Sequence, residues 1–108
     1  MDIINYFGIY PDDLKRADRI CKKALKKYGA NDREVDGVFE YAYHLFYENM
    51  REFYQNGLTL TSAIIYDMFY AVKVFIELKN NVTVKFFVNG SYSYMCVGTV
   101  EINDETIV

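Results

Sequence analysis

The feature that most constrains this chain is a stripe of apolar residues at the helical period, bounded by start and stop signals and opposed by a band of positive charge. Leu14, Ala17, Cys21, Ala24, Leu25 and Tyr28 recur at i, i+3, i+7, i+10, i+11 and i+14, a spacing that lays side chains along one side of an α-helix. Pro11 and the pair Asp12, Asp13 supply a helix start with acids at the positive end of its dipole, and Gly29 is placed to end it. On the other side stand Lys15, Arg16, Arg19, Lys22, Lys23, Lys26 and Lys27, seven of the twelve cations in the chain. They fill one sector of the wheel, about 100° to 240° from Cys21, and no acid between Lys15 and Lys27 falls in that sector. A helix with this pattern must bury a narrow stripe and leave the band in water.

The next segments extend the helical reading. Asn31 with Glu34 three residues later resembles a capping box, with Asn in place of the usual Ser or Thr, and opens a helix expected from about Asp32 to Gln55, stopped by Asn56 and Gly57. Val35, Val38, Phe39, Ala42, Leu45, Phe46, Met50 and Phe53 make an apolar arc broad enough for two neighbours, with Tyr43, Tyr47 and Tyr54 extending one edge. From Thr59 to about Lys79 the chain is apolar on nearly every side. Leu60, Ile64, Met68, Ala71, Phe75 and Leu78 favour a central helix, while Val72, Val74, Ile76 and Leu78 also fit a strand, with Asn80-Asn81 as its hairpin turn.

The last third reads as β. Val82 to Val88 and Tyr92 to Val97 are β-branched and aromatic runs flanking Asn89-Gly90, a type I′ hairpin signal. Gly98 marks a bulge or bend, Thr99 to Ile102 extends the second strand, and Asn103, Asp104 turn the chain toward a candidate short third strand at Thr106, Ile107, Val108. The expected architecture is α+β in a single domain spanning 1–108, with about three helices packed on one face of a small antiparallel sheet.

Composition narrows the chemistry. Cys21 and Cys96 match no metal or redox spacing and are expected as buried, reduced thiols. The opening Met1, Asp2, Ile3, Ile4 lacks a cationic n-region and a small-residue cleavage site, and the most apolar stretch is interrupted by Asp67, Lys73 and Glu77. The expectation is therefore a cytoplasmic protein with neither signal peptide nor membrane span. His44 is the only histidine and is expected on the surface of the second helix, so no metal, cofactor or catalytic triad is expected and the chain reads as a non-enzyme. Asp67 has two readings: a carboxyl raised in pKa by its apolar helix, or an Asp on an exposed edge near Tyr70 and Lys73.

The charge band is the least neutral feature. Outside Asp12 to Tyr28 the chain carries five cations against twelve acids, so charge is segregated, as suits a charged partner. Lys15/Arg19, Arg19/Lys23, Lys22/Lys26 and Lys23/Lys27 are like-charge i,i+4 pairs costing about 0.2 to 0.5 kcal/mol each at low salt. Two readings follow: a face that binds a polyanion, either a phosphate backbone or an acidic protein groove, or a solvated face. A third places the contact on the second helix, where Glu40, Glu48 and Glu52 beside Tyr43, Tyr47 and Tyr54 would present charge and hydroxyls as a phosphate mimic does.

Eleven tyrosines in 108 residues exceed what one core can satisfy, so several are expected at the surface as contact residues. Small, acidic chains of this kind, rich in Tyr, Asn and Lys, are similar in general character to phage and mobile-element accessory proteins, including anti-CRISPR inhibitors that occupy nucleic-acid sites on effector nucleases. The resemblance implies a non-catalytic inhibitor with a protein partner such as a nucleic-acid-binding effector nuclease; it carries no residue roles. The alternative is direct nucleic-acid binding through the first helix.

Overall fold

The structure, a computed structural model, describes residues 11–57, 60–89 and 96–107. Their order is α1 (Pro11–Lys27), α2 (Asp32–Gln55), α3 (Leu60–Asn80), β1 (Val84–Asn89), β2 (Cys96–Ile102) and β3 (Glu105–Thr106). Three helices pack with a three-stranded antiparallel sheet of order β1-β2-β3, an α+β fold.

Each helix ends where its local chemistry dictates. Past α1, the Ala30 amide donates to Leu25 O at 3.0 Å and the Gly29 amide to Lys26 O at 3.2 Å, with Gly29 at φ +86°. This is a Schellman closure, sealed by burial of both Leu25 and Ala30. The capping box of α2 is complete: the Glu34 amide donates to Asn31 Oδ1 at 2.8 Å and the Asn31 amide to Glu34 Oε1 at 3.1 Å. At the end of α3, Asn81 takes φ +53° while its amide donates to Glu77 O, so Asn80-Asn81 closes a helix and is no hairpin turn. Residues 72–78 are accordingly helical.

Helix α3 is the centre of the molecule, in contact with α2, α1 and β1, while α1 also meets β2. Its Ile64, Ile65, Met68, Phe69, Val72 and Ile76 join Leu25 of α1, Phe46 of α2, and Val84, Val100 and Ile102 of the sheet in one core. Full burial of such a side chain contributes roughly 1.5 to 3 kcal/mol. The expected layering is refined at one point: α1 and α3 contact the sheet, and α2 packs on α3 and touches α1. Two side chains tie the helices together at one end. Asn80 Nδ2 donates to Tyr28 O at 3.3 Å, and Lys79 Nζ lies 2.7 Å from Glu34 Oε2.

The sheet departs from the expected boundaries. β1 begins at Val84, and β1 and β2 pair Val88 with Val97 and Asn89 with Cys96. A two-residue turn at Asn89-Gly90 would set Val88 opposite Ser91, so this register excludes it; residues 90–95 lie outside the described residues. The register steps from Phe87↔Thr99 to Val88↔Val97, passing over Gly98, which is the expected bulge. Asn103 and Asp104, at φ +52° and +66°, form the two-residue turn of type I′ geometry, and the third strand is Glu105–Thr106, one residue earlier than expected. Val108 lies outside the described residues.

Candidate binding surfaces

The stripe of α1 goes inward as its spacing requires: Leu14, Ala17, Cys21, Ala24 and Leu25 are buried, and Ile20 joins them. All seven cations, Lys15, Arg16, Arg19, Lys22, Lys23, Lys26 and Lys27, are exposed. Two have intramolecular counter-charges. Lys22 Nζ lies 3.0 Å from Asp18 Oδ2, and Lys26 Nζ lies 3.4 Å from Asp32 Oδ1. Lys15, Arg16, Arg19, Lys23 and Lys27 form no ion pair among the described residues. The hydrogen bond to Asp18 holds the Lys22 ammonium above its ordinary pKa.

Lys22 also joins the band to the second helix. Its ammonium sits 5.4 Å from the Phe39 ring centroid, over a cleft of about 420 Å³ lined by Asp18, Lys22, Asp36, Phe39, Glu40 and Tyr43. Tyr43 is half-buried there, its phenol pushed up in pKa by desolvation and then by Asp18. The fold thus brings together one end of the tyrosine edge and the rim of the cationic band. Tyr47 is 45% exposed, with its ring edge-on to buried Phe46 at 5.7 Å. Tyr54 lies in α2, and its side chain is outside the described residues. Tyr41, absent from the expected contact residues, is 48% exposed. Tyr41 stands six residues before Tyr47, about 120° from it around the helix, and only the side that α3 covers decides which tyrosines stay open.

His44 is exposed, its Nε2 3.0 Å from Glu48 Oε1. Among the described residues no group of three or more His, Cys, Asp or Glu is placed to hold a metal, and no helix is long and apolar enough to cross a membrane. Cys21 is a free, fully buried thiol whose pKa is pushed up by burial and then by Asp18. The side chain of Cys96 is outside the described residues.

Asp67 answers to the first of its two readings. It is 3% exposed, its Oδ2 has no hydrogen-bond partner among the described residues, and desolvation raises its pKa to about 6. The exposed-edge reading fails because α3 is enclosed by its neighbours, and its open side is taken by Tyr66 and Tyr70 at 50% and 48% exposure.

The chain matches no protein-family model, no curated protein and no solved structure.

Proposed function

We propose that this protein acts by non-catalytic binding, as an accessory inhibitor that docks the outer face of α1 on an acidic groove of a nucleic-acid-handling effector. The observation that carries this reading is the set of five exposed cations, Lys15, Arg16, Arg19, Lys23 and Lys27, that have no counter-ion among the described residues, on a helix whose inner stripe is committed to the core. Such a face costs stability through like-charge i,i+4 pairs, and mixed charges would serve solubility as well. An anionic partner recovers that cost.

Lys15, Arg19 and Lys23 lie on one i,i+4 ladder, and none supports the core. Reversing all three to Glu should therefore leave the fold intact. Titration of labelled duplex DNA and of polyglutamate separates a phosphate backbone from an acidic protein groove. Contact of about five cations with a duplex predicts a log–log salt slope of roughly −4 to −5, lost in the triple variant. A folded triple variant with unchanged binding to both probes sinks the proposal.

A second reading rests on α2, where Tyr41 and Tyr47 are nearly half exposed among exposed Glu40, Glu48 and Glu52. A Tyr47→Ala variant that keeps its stability but loses about tenfold in affinity for a basic effector surface would move the interface there.

A further inference from the structure

The open edge of β1 carries a different kind of site. Thr83 O accepts the Asn103 amide at 2.9 Å, so Thr83 faces the β2 side of the hairpin. Val84 faces the other way: its amide donates to Glu77 Oε2 at 2.9 Å, and its carbonyl accepts from Lys73 Nζ at 2.8 Å. The Lys73–Glu77 ion pair, closed at 2.6 Å, therefore supplies to Val84 the acceptor and donor that a fourth strand would have supplied. Backbone groups alternate in an antiparallel ladder, and the register is regular from Val84 to Phe87, so the Phe86 amide and carbonyl point to the same side as those of Val84. No side chain caps them among the described residues.

That edge opens into a cleft of about 460 Å³ between α3 and β1, lined by Tyr66, Phe69, Tyr70, Lys73, Val84, Lys85 and Phe86. In its wall the Phe69 and Phe86 rings stack at 4.4 Å and 5°. Tyr66 and Tyr70 stand half exposed on the helix side. Of the two lysines in the lining, Lys73 is already paired with Glu77, which leaves Lys85 as the cation turned to solvent among the described residues. Lys85, opposite Glu101 in the ladder, makes an exposed pair with Asp104 at 3.2 Å, a contact worth little in water.

We propose that the edge of β1 at Phe86 is a strand-addition site for an extended acidic peptide segment of a partner protein. Main-chain bonds to Phe86 would give affinity, Tyr66 and Tyr70 would cover alternate side chains, and Lys85 would select carboxylates. A second copy of this chain fits poorly, because edge-to-edge pairing would bring the Lys85 side chains of two copies together, and the Lys73–Glu77 pair already occupies the start of the edge. The site shares no residue with the cations of α1 and does not depend on their role.

The test uses a capped heptapeptide alternating Glu and Val around a central Phe, titrated at millimolar concentration into isotope-labelled protein. The Phe86 amide should gain about tenfold or more protection from hydrogen exchange, and the Tyr66, Tyr70 and Lys85 resonances should shift. N-methylation of the peptide's central amides should weaken binding about tenfold, and Lys85→Glu about fivefold, with preference then passing to the matching Val-Lys peptide. Because Lys85 is exposed, that variant keeps its fold. The proposal is overturned by an unshifted Phe86 amide, by indifference to N-methylation, by a single-stranded oligonucleotide that outcompetes the peptide for the cleft, or by a dimer already protecting Phe86 in the free protein. The α1 triple variant should bind the peptide normally, so failure here and failure of the α1 reading are told apart.

Discussion

Asp67 is buried, with one oxygen unbonded among the described residues, and desolvation raises its pKa from an ordinary value near 3.8 to about 6. The folded state therefore holds a proton on Asp67 that the unfolded state has already lost between about pH 4 and pH 6. Stability is full below the unfolded value and declines as pH rises through the folded one. A shift of about two units corresponds to roughly 3 kcal/mol lost by neutral pH. Glu34 and Glu77 act oppositely: Lys79 and Lys73 respectively, with backbone amides, hold them below their ordinary values, so their contribution fades in acid. Asp67→Asn isolates the first effect. Denaturant melts should show the gap between variant and wild type widening in the variant's favour from about pH 4 to pH 7; a gap independent of pH would mean that Asp67 is ionised in the fold. Its apolar flanks were legible in the sequence, but not which side of α3 would be covered, since nearly all sides are apolar.

At the scale of elements, the turn between α1 and α2 concentrates local signals that composition alone would not weigh. Gly29 sits at φ +86° with open space where a Cβ would go, so Gly29→Ala should cost about 1 kcal/mol through backbone strain alone. Asn31→Ala removes the side-chain half of the capping box and should cost about as much. Glu34→Ala should cost more than Asn31→Ala, because Glu34 both returns the cap and accepts Lys79 from the end of α3. Denaturant midpoints at constant m decide the order; equal losses for Glu34→Ala and Asn31→Ala would mean that the Lys79 contact contributes nothing. The capping box was readable from Asn31 and Glu34. The Lys79 contact was not, because it joins residues 45 apart in sequence.

For the whole molecule, the segregation of charge makes folding and binding respond to salt in opposite directions. Raising ionic strength shortens the Debye length from about 30 Å at 0.01 M to about 8 Å at 0.15 M. The like-charge ladder on α1 is then relieved, and the fold should gain up to about 1 kcal/mol, while polyanion binding through the same face weakens. Replacing Lys15, Arg19 and Lys23 with Gln should flatten both responses; salt-dependent melts of this variant that match wild type would show that the ladder is already relaxed. By itself, the sequence determined what depends on near neighbours along the chain. That includes the inward stripe and outward cations of α1, the Schellman glycine, the capping box, the bulge at Gly98 and the antiparallel character of the C-terminal strands. Each follows from spacing or backbone preference within a few residues. The tertiary structure decided what depends on distant surfaces meeting. It buried Asp67 inside α3, paired Lys22 with Phe39 across two helices, left Tyr41, Tyr66 and Tyr70 open, and set Lys73 and Glu77 against the edge of β1. Burial and edge capping are properties of which element lies opposite, and local periodicity carries no information about that.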